Sequence, residues 1–213
     1  MPANTSKLPA DIRVWDRCVR VFHWLLVAGV ASAWFSAEYH IKLLHIVTGY
    51  SLALLLGTRL VWGFTGSHYA RFAQFLYSPA QTVGYIKSLR SIHPEHYLGH
   101  NPLGALMVFA LLATLLGMAI TGLIVLAGIE FEGPLLPIAL RFDDDFFYTV
   151  KRLHEWLANA VLVLIAAHIG GVVIASRQHH ENLVRAMITG RKKNLTARDA
   201  QQFPASPSRE SIQ

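Results

Sequence analysis

Charge is scarce in this sequence. Asp, Glu, Lys and Arg make up 15% of its 213 residues, where a water-soluble domain carries about 25%. Cysteine is scarcer still: Cys18 is the only one. That excludes a disulfide framework, a paired-cysteine zinc site and the Cys-x-x-Cys-His motif of covalent haem attachment. Proline is missing from the interior of every long apolar run, and no internal repeat is visible. What remains is a chain 53% hydrophobic, with its few charges gathered between the apolar runs. Such a chain is expected to be an integral membrane protein.

Four runs approach or exceed the roughly 20 residues that cross a bilayer: 21–37, 46–64, 103–127 and 146–175. The first, 17 residues, needs its flanks or a thin local bilayer. The fourth opens with a charged turn (Lys151, Arg152, Glu155) and is continuously apolar only from Trp156. The expected fold is an all-α, four-helix transmembrane bundle. Arg13, Arg17 and Arg20 ahead of the first run, with "ASA" at 31–33, resemble a cleavable leader. The long polar lead-in and His23, Trp24 and Trp34 fit such a leader poorly, so retention is expected.

An even number of spans puts both termini on one side. That side then carries fifteen lysines and arginines and the other four, with net charges of +9 and −3. The positive-inside rule places the basic side, and both termini, in the cytoplasm. The pI near 9.7 is thus a property of one face, explained by anionic lipid rather than nucleic acid. The expected organisation is an N-terminal tail at 1–20, the four-helix domain at 21–175 and a basic tail at 176–213. The domain includes a cytoplasmic interfacial segment at 65–101 and an acidic periplasmic cap at 128–145. Within 65–101, Phe72, Phe75, Leu76 and Tyr77, then Val83, Ile86 and Leu89, recur at helical spacing. From Arg191 onward the chain is polar, with Pro204 and Pro207, and is expected to be disordered.

Eleven histidines are many for so apolar a chain. His154 and His168 share the fourth run. Fourteen residues at 1.5 Å each separate them by about 21 Å along a helix. At 100° per residue they differ by about 40° from four full turns, so they share a face. His23 begins the first run at the cytoplasmic end, and His45 begins the second at the outer end. Depth therefore pairs His23 with His168 and His45 with His154. Two opposed imidazoles are how a b-type haem is held for electron transfer. Zinc would need three or four ligands at one point, and each depth supplies two. Two haems b are expected, with the four histidines as iron ligands. A lone intramembrane histidine is as readily a polar link between helices; four at matched depths favour ligation.

Gly49, one turn past His45, and Gly170 and Gly171, after His168, would let a macrocycle edge approach the backbone. His40, five residues before His45, is its rival. His100 could be a haem-edge or quinone-site residue but reads better as a polar contact at a helix start. Arg20 and Arg59 are candidates for propionate contacts at the inner haem. Lys42, Arg141, Lys151 and Arg152 are the outer candidates. Arginines at helix ends also snorkel without any ligand. His68, His93, His96, His179 and His180 read as solvated.

"VWDRCVRVFHWLL", "LHIVTGY", "RLVWGF", "YLGHNPLG" and "LHEWLANAVLVLIAAHIGGV" together resemble the prokaryotic cytochrome b561 family, from about Val14 to Val173. That family includes the cytochrome b subunits of nickel–iron hydrogenases. The resemblance implies a four-helix bundle with two bis-histidine haems b that exchanges electrons with quinone. Its ligand pattern falls on His23, His45, His154 and His168.

The expected function is an electron conduit in the bacterial inner membrane, an electron-transfer protein or an oxidoreductase subunit. It would link the quinone pool to a periplasmic partner such as a c-type cytochrome or a dehydrogenase subunit. The acidic cap suits docking to a basic partner, or is simply a solvated loop. A hydrogenase subunit is compatible, and so is a homo-oligomer. Superoxide oxidation with electrons passed to quinone ranks lower, because an anion is repelled by a face of net −3. A haem-free transporter or scaffold would show broken helices and ionisable residues at mid-depth, and neither is evident.

Overall fold

A computed structural model describes residues 11–89 and 97–193. The elements along the chain are β1 (Asp11–Arg13), α1 (Arg17–Glu38), α2 (Lys42–Thr65), α3 (Pro79–Ser88), α4 (Pro102–Gly128), α5 (Leu136–Ala139), α6 (Asp144–Gln178), α7 (Leu183–Thr189) and β2 (Arg191–Lys193). α1, α2, α4 and α6 are long and apolar enough to cross a membrane. All four expected spans are present. The first is longer than its apolar run because helix α1 recruits a turn of flanking residues, reaching 22 residues. Many large apolar side chains on these helices are exposed, Leu54, Trp156 and Val163 among them. On a bundle of this kind such a surface faces lipid.

In lipid there is little hydrophobic gain from helix association, so close backbone approach and packing hold the bundle. Glycines supply that approach. A Cβ on Gly128 would lie 2.0 Å from the Phe147 ring, and on Gly117 3.3 Å from Leu157. Glycines on α4 thus seat α6, and these two helices pack most extensively. Gly29, whose Cβ would meet Leu52 at 2.7 Å, does the same for α1 and α2. α2 bridges to α4, while α1 and α6 have no extensive backbone contact among the described residues. At mid-depth Leu56, Leu115 and Val161 form a buried layer with Phe22, Leu26 and Ile165 against it.

The described residues between α2 and α4 pack against the bundle. Two short 3₁₀ turns, His68–Ala70 and Phe72–Gln74, precede α3. Phe72 fills the space beside Gly63, where a Cβ would be 2.1 Å away. Phe72 and Phe75 both reach Phe109 of α4, with ring centres 5.6 and 5.4 Å apart. Leu76, Val83 and Ile86 remain exposed. The segment is folded onto the bundle end by its aromatics.

The expectation of disorder from Arg191 needs correction. Arg191–Lys193 pair antiparallel with Asp11–Arg13. The remainder of the expected disordered tail lies outside the described residues. Gly190, at φ 80°, makes the turn into β2. Its carbonyl accepts from the Val14 and Trp15 N–H groups at 2.9 and 3.1 Å. A Cβ there would meet the Trp15 carbonyl at 2.5 Å.

Asp16 caps α1 and ties it to α2. One oxygen accepts from the Val19 N–H at 2.7 Å. The other accepts from the Trp62 indole at 3.0 Å and from the Ser67 hydroxyl. Burial pushes the carboxyl up, but the donors from Ser67, Val19, Trp62 and Cys18 outweigh it and hold it below its usual range. A depressed folded pKa contributes stability above the unfolded value, about 3.9, and loses it as pH falls through the folded one. Asp16→Ala should cost about 0.5–2 kcal/mol from the lost cap, read as a lower melting temperature in detergent at pH 7. The gap to wild type should narrow below about pH 4. An unchanged gap there would mean that the carboxylate charge does not matter.

Candidate cofactor-binding site

His23 lies in the second turn of α1 and His168 lies toward the end of α6. Their ring centres are 6.4 Å apart. His45, in the first turn of α2, and His154, near the start of α6, have ring centres 6.3 Å apart. The structure therefore brings together both pairs expected from depth, at opposite ends of the bundle and on either side of the Leu56–Leu115–Val161 layer. His40 does not compete. It sits at φ 55° in the α1–α2 turn, exposed, and its carbonyl accepts from the Lys42 N–H.

The separation is informative. A metal–imidazole nitrogen bond is about 2.0–2.1 Å long, as for zinc and histidine, and the ring centre lies about 1.1 Å beyond the nitrogen, so two rings on opposite sides of one ion stand about 6.3 Å apart. Rings hydrogen-bonded to each other would be closer. Among the described residues no group of three or more metal-ligating side chains converges; each site brings together two imidazoles. Cβ atoms on Gly49, Gly170 and Gly171 would meet nothing within 4 Å, leaving open space along the backbone beside His45 and His168. His23 Nδ1 is buried with no partner. The donor set and the space fit a bis-histidine macrocycle.

At the His45–His154 end the second ring nitrogens are engaged. His45 Nδ1 lies 3.0 Å from the Ala33 carbonyl, with the Ser36 hydroxyl at 3.4 Å. His154 Nδ1 lies 2.9 Å from Thr121 Oγ1. Gly122 makes room for that ring: a Cβ there would be 3.2 Å from His154 Cε1. Thr121 and Ser36 were not singled out from the sequence. The available signal was a hydroxyl beside a glycine deep in the most apolar span.

The candidate cations divide. Arg59, 5% exposed, lies with its guanidinium carbon 4.7 Å from the Phe72 ring centre and donates to the Ala70 carbonyl at 3.1 Å. Its other terminal nitrogen is buried and unpaired. Arg20 donates to the carbonyls of Asp16 and Ile188, tying α1 to α7. Lys42 bridges Glu130 at 2.6 Å and Glu132 at 3.2 Å. Arg141, Lys151 and Arg152 are exposed, Arg152 donating to Thr149 at 3.4 Å.

His100 is not a helix-start contact. Asn101 caps α4 instead, accepting from the Gly104 N–H at 2.7 Å. The His100 ring lies 4.7 Å from Trp15 and 4.5 Å from Phe75, and its Nδ1 is buried and unpaired. Burial pushes its pKa down to about 3, with Arg59, Lys192 and His168 adding repulsion, so it is neutral at ordinary pH. His93 and His96 lie outside the described residues. His68 is exposed against Tyr69, His179 closes α6, and His180 is an exposed turn residue at φ 50°.

Four apolar helices with a facing histidine pair toward each end define a membrane cytochrome. The family model described as prokaryotic cytochrome b561 matches residues 14–190, and the chain belongs to that family. It is 28% identical over 219 aligned positions to a probable Ni/Fe-hydrogenase B-type cytochrome subunit of Rhizobium leguminosarum, covering 85% of this chain and 89% of that one. The counterpart from Bradyrhizobium diazoefficiens is 26% identical, covering 85% and 86%. A probable Ni/Fe-hydrogenase 1 B-type cytochrome subunit of Escherichia coli is 24% identical, covering 83% and 88%. No solved structure gives a significant match. Family membership implies haem b and a role in electron transfer.

Proposed function

We propose that this chain is a di-haem b membrane cytochrome of the bacterial inner membrane, carrying electrons between quinone and a redox partner on the outer face. His23 and His168 would hold one haem, and His45 and His154 the other. The ring separations of 6.4 and 6.3 Å carry this reading, because they match two imidazoles spanning one iron. Haem held in this way would supply reversible one-electron chemistry.

The chain's own residues do the rest. The helices hold each histidine pair in register. The layer of Leu56, Leu115 and Val161 keeps the two sites apart and dry between them. Arg59, with one guanidinium nitrogen unpaired, is available to a propionate at the His23–His168 end. Lys42, paired with Glu130 and Glu132, is committed to the cap, and Arg20 to α7. The basic side carries the termini and faces the cytoplasm by the positive-inside rule. The acidic cap faces outward and suits a basic partner surface. The similarity to hydrogenase cytochrome subunits supports a dehydrogenase or hydrogenase subunit as that partner.

A pyridine haemochrome assay on detergent-purified protein tests the reading. Two haems b per chain are expected. One would mean that a histidine pair binds none, and none, from cells with ample haem, would leave a scaffold or transporter as the reading.

A further inference from the structure

Thr121 is a buried polar residue, 6% exposed, in the strongly apolar α4. Its hydroxyl has one proton, and the Gly117 carbonyl at 2.7 Å and the Met118 carbonyl at 3.1 Å can only accept it. The oxygen's lone pairs then face His154 Nδ1 at 2.9 Å, so that nitrogen must carry the hydrogen. At His45 the logic is the same: the Ala33 carbonyl, 3.0 Å away, can only accept. Both rings of this pair are held with Nδ1 protonated and the Nε2 lone pair free. The other pair differs, because His23 Nδ1 is buried with no partner.

An imidazole that donates its second N–H to an acceptor is a more basic ligand. A more basic ligand favours the ferric state and lowers the haem potential. Nearby charge acts in the same direction. Glu155 lies within electrostatic reach of His154.

Resting on the di-haem reading, we propose that Thr121 is a positioning residue of the His45–His154 site. It fixes the His154 tautomer and holds that haem at a lower potential than the His23–His168 haem. Electrons entering at the cap end then run downhill to the end that carries the termini.

The test compares wild type, Thr121→Val and Thr121→Ser, purified in detergent, by haem count, equilibrium redox titration and low-temperature EPR of the oxidised protein. Valine keeps the shape and removes the hydroxyl; serine keeps the hydroxyl. Wild type should titrate as two components with different midpoints. Thr121→Val should move the lower midpoint upward and leave the upper in place, with Thr121→Ser staying close to wild type. Only one EPR signal should change, that of the pair with rings at 80° rather than 53°. Loss of that one haem in the valine variant, with serine retaining it, also supports the role. Two haems with both midpoints unmoved in Thr121→Val would overturn it. So would valine and serine variants that behave alike. Fewer than two haems in wild type would instead bring down the di-haem reading, and the haem count tells that failure apart.

Discussion

Alanine at His168 is expected to halve the haem content of the purified protein, from two per chain to one. The remaining haem should keep the spectrum and midpoint of the His45–His154 site. In the proposed site each histidine would supply one of the two protein bonds to the iron, and its loss would leave its partner ring alone. His23 would not replace it, being the other member of the same pair. The second site should survive because it lies about 21 Å away along α6, beyond the Leu56–Leu115–Val161 layer. His154→Ala should give the mirror result, and the double variant should be haem-free. Each protein should still insert, since the close packing at Gly29, Gly117 and Gly128 does not involve these side chains. The measurement is haem per polypeptide with a redox titration of what remains. Two haems retained in His168→Ala would remove it from the ligand set and make His100, whose buried Nδ1 has no partner, the residue to test next. Loss of both haems would mean that the sites fold as one unit.

The bundle and the histidine pairs were legible because they depend on two short-range regularities. Apolar run length fixed the spans. The 3.6-residue period, with alternating chain direction, fixed the depth and face of each histidine. The choice of His45 over His40 followed from where the apolar run starts, and the α1–α2 turn takes His40 out of reach. Other features depend on contacts that no local pattern announces. The β1–β2 pairing joins segments some 180 residues apart with three residues each, too short for any periodicity. Phe72 looked like one of several interfacial apolar residues until Gly63 supplied the notch for its ring. His100 looked like a helix-start contact because the cap lies one residue later, on Asn101. The cations were sorted least well. Sequence offers Arg20, Arg59 and Lys42 as equivalent helix-end charges, and only their partners distinguish them.

Those long-range contacts at the termini carry the second large effect. Lys192 and Glu181 are each 8% exposed and pair at 3.1 Å, and the lysine also donates to the Tyr97 carbonyl at 3.3 Å. The pair joins the last strand, the α6–α7 turn and the chain entering α4. A buried ion pair gains little over an apolar substitute, because desolvation offsets the attraction. Removing one partner is different, because it breaks a buried pair, at a cost of up to about 3–5 kcal/mol. Lys192→Met is therefore expected to lower the melting temperature in detergent clearly and to expose the basic residues around Arg191 to trypsin. Glu181→Leu together with Lys192→Met should recover most of the loss, since neither charge then remains buried. A double variant no better than Lys192→Met would show that the Tyr97 contact, and not the ion pair, holds the termini. The haem content is the second readout. The clamp shares Trp15 with His100 and lies at the His23–His168 end, so its opening should weaken haem retention there and leave the His45–His154 site at wild-type occupancy.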